Sequence, residues 1–191
     1  MNRTTILSVV IALGSLALAV AMRPVEVAAV AFEDTGTPLF SGFSDPAQAA
    51  FLEVVGWDDT AARVTSFKVE QKAGRWVIPS HNDYPADGTE RMGKAAASFI
   101  DVKKDVLRSE RTEDHAVLGV EDPADANAKG RGQRITIKDQ AGTVLVDVIL
   151  GKKIEDKDGF RYVRLPDQKR VYASKIDVDI STNFADWIEK D

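Results

Sequence analysis

The sequence predicts an α+β fold: an antiparallel sheet, built from a hairpin and a four-stranded meander, is packed by one amphipathic helix and follows an N-terminal transmembrane helix. Three observations predict it. A charge-free apolar run covers Ile6 to Met22, an apolar repeat at three- and four-residue spacing covers 89–108, and alternating strands joined by turns fill most of 133–173. The 191 residues are 44% hydrophobic and 29% charged, with 13 Gly, 7 Pro and no Cys. That composition excludes a disordered, collagenous or disulfide-stapled chain. Without cysteine there is no thiol catalysis and no thiolate zinc site, and the two histidines leave little for a metal or a catalytic triad.

The apolar run is seventeen residues long, or nineteen with Thr4 and Thr5. At about 1.5 Å per residue the longer count gives a helix of about 29 Å, close to the roughly 30 Å hydrocarbon core. Residues 1–23 therefore read as a membrane anchor that meets the lipid bilayer through residues 6–22. A signal segment cleaved after Ala19-Val20-Ala21, which would export the body, and a buried core helix are the alternatives. Arg3 alone precedes the run, which puts the N-terminus in the cytoplasm and the body outside the cytoplasmic membrane as a single-pass protein.

Residues 24–62 read as a linker with a short helix around Pro46 to Val55. The domain proper is expected over 63–180. Arg63 to Gln71 alternates, and Lys72-Ala73-Gly74 turns it into Arg75-Trp76-Val77-Ile78, which reads as a hairpin. Asp87 followed by Glu90 fits a capping box. Met92, Ala95, Ala96, Phe99, Val102, Val106 and Leu107 then form one apolar stripe on a helix of about 89–108. A short helical turn is expected at Asp114 to Leu118. From Gln133, four strands are separated by turns at Gln140-Ala141-Gly142, Asp156-Lys157-Asp158-Gly159 and Pro166-Asp167-Gln168. Burying the helix stripe on the sheet gives the α+β arrangement. Residues 181–191 start a C-terminal helix, with Phe184, Trp187 and Ile188 on one side; it reads as cut short.

The net charge is −5, but it is unevenly distributed. Residues 129–170 hold eleven basic and six acidic side chains, whereas 23–128 hold eleven basic and nineteen acidic. Solvated outer faces account for this pattern. The sharper alternative is a basic sheet face of Arg134, Lys138, Arg161, Arg164 and Arg170 that meets an acidic partner, a lipid headgroup or a polyanionic glycan. No aromatic-interleaved basic motif points to nucleic acid.

Ser80-His81-Asn82-Asp83 contains the residue types of a hydrolytic triad, but side chains of adjacent residues diverge instead of sharing one proton path. His81 and Asp83 could supply two metal ligands, with Asp87, Asp58 or Asp59 completing the set. The loop His81, Asn82, Asp83 and Asp87 reads first as backbone-bonded turn structure. No catalytic residue, metal site or cofactor is assigned. Asp156-Lys157-Asp158-Gly159 lacks the remaining ligands of a calcium loop and reads as a tight turn. Gly130-Arg131-Gly132 leads into a strand, whereas a phosphate loop opens a helix, and Leu150-Gly151-Lys152-Lys153 lacks the spacing of a Walker motif. Trp76, Tyr84, Trp187, Tyr162 and Tyr172 are read as packing residues in preference to a carbohydrate or peptide platform.

Several ordered stretches carry a resemblance: GRWVIPSHNDYPADG, RMGKAAASFIDVKKD, LGVEDP, KGRGQRITIKDQAGTVLVDVILGKK and GFRYVRLPDQKRVYASKIDVDISTNFADWIEKD. Over about Val64 to Asp191 the chain resembles a bacterial family known as a domain of unknown function. The resemblance implies a membrane-anchored, extracytoplasmic protein, often encoded beside gliding-motility-type ABC transporter components. It also implies a chain that continues past Trp187-Ile188, and it brings no catalytic residues. The expectation is a non-enzymatic, membrane-tethered binding or accessory module that partners an ABC-type transporter or other envelope proteins. An extracytoplasmic enzyme acting on glycan or peptide through His81, Asp83 and Asp87, or a structural unit of a longer envelope protein, are the alternatives.

Overall fold

A computed structural model describes residues 34–188. The chain divides into two units, Met1–Glu33 and Asp34–Asp191, so the apolar run at 6–22 lies outside the described residues. Among the described residues no helix is long and apolar enough to cross a membrane.

Among the described residues nine strands form one sheet: β1 Phe51–Asp58, β2 Arg63–Lys72, β3 Arg75–Ile78, β4 Tyr84–Pro85, β5 Val106–Ser109, β6 Gln133–Lys138, β7 Val144–Lys153, β8 Phe160–Arg164 and β9 Val171–Lys175. The order is β4-β3-β2-β1-β6-β7-β8-β9-β5, and each neighbouring pair is antiparallel. The expected hairpin is β2–β3, and the expected meander is β6 to β9. The edges are blunt: β4 has two residues, one of them proline, and β5 is short with a register shift between Leu107 and Ser109. Such edges resist pairing with another chain.

Alternation decides the two faces. Leu52 and Val54 on β1, Phe67 and Val69 on β2, Ile135 and Ile137 on β6, Val146 and Val148 on β7, Val163 on β8 and Tyr172 on β9 are all buried in one cluster. Helix α1, Gly88–Ala97, lays Met92, Ala95 and Ala96 on this face. Leu39, Phe43, Phe99 and Val102 join them, as do Ile176, Val178, Ile180 and Trp187 from the C-terminal stretch. The opposite face carries a smaller cluster of Leu118, Val120, Ile149 and Val171. There helix α2, His115–Leu118, and the chain after it cover the β7–β9 side of the sheet.

Four expectations change. The short helix around Pro46 to Val55 is a 3-10 turn, Pro46–Gln48, followed by β1, and β1 is central, between β2 and β6. Alanine and glutamine before residue 50 favour a helix locally, but two-sided strand pairing of Phe51 to Val55 prevails. The described part of the expected linker is thus integral to the sheet. The helix over 89–108 ends at Ala97. Ser98 Oγ bonds Ala95 O at 2.6 Å, Asp101 turns through φ +59°, and Val106-Leu107 pair with β9. Phe99 and Val102 keep their place in the core from turns, so the helical spacing outlasts the helix. The capping box is absent: Asp87 makes no side-chain cap bond, and Glu90 pairs with Lys94 one turn on. Within the described part of the C-terminal helix start, 181–188, there is one 3-10 turn, Phe184–Asp186, capped by Asn183 Oδ1 accepting from the Ala185 amide at 3.2 Å.

Candidate functional site

The loop after β3 is a docking turn. Pro79–His81 form a 3-10 turn, and Asn82 and Asp83 follow in the left-handed region at φ 56° and 55°, which Asn and Asp tolerate better than most residues. The His81 ring stacks on Phe184 with centroids 4.0 Å apart, and its Nδ1 is 3.0 Å from Ser80 Oγ. Asp83 accepts from Lys72 at 2.8 Å, and Lys72 also meets Glu70 at 2.8 Å. Asp87 begins α1, and its amide donates to Trp187 O at 2.8 Å. His81, Asp83 and Asp87 therefore engage three different partners. Among the described residues no group of three or more His, Asp or Glu is placed to hold a metal ion. His115 is buried, and its Nε2 lies 2.8 Å from Lys169 O.

The expected basic face is divided. Cross-strand register aligns Arg134, Ile149, Arg164 and Val171 in one row, so Arg134 and Arg164 share the outer face. Arg134 is tied to Asp147 at 2.9 and 2.8 Å and to Asp122 at 2.9 Å; the Asp147 hydrogen bonds hold its pKa above the ordinary range. Arg164 is buried and donates to the carbonyls of Val120 (2.8 Å), Pro166 (2.7 Å) and Gln168 (3.2 Å). Burial pushes its pKa down. Lys138 lies over the Phe51 ring. Arg170 turns to Glu110 and Asp34. Arg161 points to the core side, in line with Val163. Carboxylates or carbonyls engage most of these cations, because outer-face arginines beside acidic strands find partners within the fold.

Four cations without an ion pair among the described residues share one lining. At one end of the sheet, the end of β1, the chain entering β6, the end of β7 and the start of β8 surround a concavity of about 520 Å³. Lys129, Arg131, Lys152 and Arg161 line it, against one carboxylate, Asp59. None of the four forms an ion pair among the described residues, although Asp177 and Asp179 oppose the burial that lowers the Arg161 pKa. Arg131 lies over the Trp57 ring at 3.8 Å and donates to Ala126 O at 2.9 Å. Lys152 donates to Val117 O at 2.7 Å. Among the described residues Lys129 uses only its amide, which donates to Glu121 Oε2 at 2.6 Å.

Close backbone packing builds this end of the molecule. The chain through Ala116 to Glu121 crosses the glycines that precede β6 and end β7. A Cβ on Gly130 would lie 1.8 Å from Ala116 O, and one on Gly151 would lie 2.6 Å from Leu118 O. The glycines of KGRG and LGKK are therefore contact points between backbones, and the lysines and arginine beside them are carried to the rim. As phosphate loops in the sequence, Gly130-Arg131-Gly132 fails on topology and Leu150-Gly151-Lys152-Lys153 on Walker spacing. The missed signal was the coincidence of glycine and cation at two separate places, Gly130-Arg131-Gly132 and Gly151-Lys152.

Fold and site together define an antiparallel-sheet domain with a helix on one face and a cation-rimmed concavity at one end. The chain belongs to the family described as Domain of unknown function (DUF4340), whose model matches residues 76–191. β1 and β2 lie outside that match, yet they stand between β3 and β6 in the sheet. No curated protein and no solved structure matches the chain.

Proposed function

We propose that this protein is a membrane-tethered, extracytoplasmic binding or accessory module that serves an ABC-type transporter or another envelope complex without chemistry of its own. The observation that carries the binding role is the sheet-end concavity, where three strand ends and a loop present cations unmatched by carboxylates to solvent. The tether rests on the charge-free run Ile6 to Met22 behind Arg3. The transporter association rests on the resemblance of the ordered motifs between Val64 and Asp191. Affinity capture of the full chain from native membranes in mild detergent tests the whole reading. The expected result is co-purification of transporter or envelope subunits in fixed proportion, with the intact mass retaining residues 1–23. Recovery of the protein from the soluble fraction without such subunits would overturn it.

A further inference from the structure

We infer that the concavity between the ends of β1, β6, β7 and β8 is a binding site for a phosphate-bearing ligand. This rests on the binding-module reading and gives that module a ligand class.

The argument starts from charge. Lys68, Lys72, Lys94, Lys104, Arg111, Arg134 and Arg170 each meet a carboxylate within 4.0 Å, whereas other described cations, Lys153 and Arg164 among them, do not. What sets the concavity apart is that four cations without an ion pair among the described residues, Lys129, Arg131, Lys152 and Arg161, share one lining. Four like charges about one hollow repel each other, and an anion entering it removes that repulsion. Asp59 is the one carboxylate among the described lining residues, which disfavours a cationic ligand.

Donor number then selects the anion. The Lys129 ammonium has no hydrogen bond among the described residues, and Lys152 spends one donor on Val117 O, which leaves two. Arg131 adds a guanidinium laid over Trp57, and Arg161 lines the hollow while its Nη1 donates to Val178 O at 3.4 Å. A single carboxylate brings two oxygens on one side. A phosphate or pyrophosphate brings three or more oxygens distributed around its phosphorus centre and can be met from several walls at once. Glycines 56, 119, 130, 132 and 151 keep side chains off much of the surface, so the oxygens reach the rim cations without obstruction. The site owes nothing to a helix N-terminus, which is why the loop topology around Gly130-Arg131-Gly132 does not count against it.

Trp57 lines the concavity and supplies the probe. The full chain in nonionic detergent is titrated with inorganic pyrophosphate at constant ionic strength, and the indole N–H resonances of Trp57, Trp76 and Trp187 are followed by NMR, with Trp57→Phe fixing the assignment. The expected result is a saturable shift of Trp57 while buried Trp187 stays in place as a reporter of folding. Replacing Lys129→Gln with Lys152→Gln weakens binding by about tenfold or more, whereas Lys153→Gln, exposed and outside the concavity, changes it less than about twofold. Should the double variant lose the native Trp187 resonance, Lys129→Gln alone carries the comparison. Glycerol 3-phosphate separates the sources: tight binding of it indicates a lipid headgroup, and binding of pyrophosphate alone indicates a free phosphate. Absence of saturation at millimolar pyrophosphate, equal binding by the Lys129 variants, or tighter binding of a hexaglutamate peptide overturns the assignment. Loss of phosphate binding with transporter capture intact refutes this inference and leaves the accessory role standing; the converse refutes that role alone.

Discussion

Arg134 on β6 holds Asp147 on β7 with two parallel bonds, Nε to Oδ1 at 2.9 Å and Nη2 to Oδ2 at 2.8 Å. Asp122 accepts from the remaining Nη1 at 2.9 Å, so one guanidinium clamps a strand pair to the chain leading into the 122–132 connection. Both side chains are about a quarter to a third exposed, which moderates the energy of the pair through solvent screening. A double-mutant cycle of Arg134→Ala and Asp147→Ala is expected to show a coupling of about 1–2 kcal/mol in urea unfolding. Arg134→Lys recovers less than half of it, because an ammonium lacks the planar fork. A coupling near zero would falsify the clamp.

Backbone crossing makes Gly130 intolerant of any side chain. Gly130→Ala puts a Cβ against the Ala116 carbonyl, and the chain must separate from α2 to make room. A loss of about 3 kcal/mol or more is expected, because overpacking here meets backbone rather than a movable side chain. Gly93 in α1 is the counterpart, since its Cβ position has nothing within 4 Å. Gly93→Ala is expected to stabilise by about 0.5–1 kcal/mol through helix propensity, a difference that thermal melting resolves.

Tyr172 makes stability fall at high pH. Its hydroxyl donates to Asp34 Oδ2 at 2.6 Å, and burial, with that bond, pushes its pKa up to about 12 from 10.0. The folded state prefers the protonated phenol, so this contribution is complete below pH 10.0 and disappears as pH rises through about 12. Asp34 moves the other way: the Tyr172 hydrogen bond, chiefly, lowers its pKa from 3.8. Its contribution is present above pH 3.8 and is lost as pH falls through the lower folded value. Tyr172→Phe should therefore be less stable than wild type at neutral pH, and the gap should close towards pH 12. A gap that stays constant across the alkaline range would contradict the assignment.

Two interior strands of the sheet, β1 and β2, lie upstream of the family-matched residues. Leu52 and Val54 on β1 are fully buried between β2 and β6. Leu52→Ala is expected to cost about 2–5 kcal/mol, against less than about 0.5 kcal/mol for Val117→Ala at a site 70% exposed. A chain beginning at Trp76 lacks the strands that join β3 to β6 and should show no cooperative unfolding transition.

Where neighbours in sequence are also neighbours in space, the pattern of residues was sufficient. The β2–β3 hairpin and the β6–β9 meander follow from alternation and turn residues, because each strand pairs with the one before it. The apolar stripe from Met92 to Val102 correctly named core residues while overstating the helix, since burial spacing does not report hydrogen bonding. β1 was illegible for the opposite reason: its partners include β6, some eighty residues on, and Pro46-Ala47-Gln48 favours a helix locally.

The candidate site divides in the same way. Composition excluded thiol chemistry, and the glycines and cations of KGRG and LGKK stood in plain view. Their meeting at one rim depends on the 116–121 crossing and on the β1–β6 and β7–β8 pairings. Conversely, three of the five residues of the expected basic face, Arg134, Arg164 and Arg170, are engaged by Asp147, Asp122, Glu110 and the carbonyls of Val120 and Pro166. A linear chain states which charges it carries. Which of them are neutralised and which remain free for a ligand is a matter of distances of about 3 Å between residues far apart in sequence, and folding alone sets those distances.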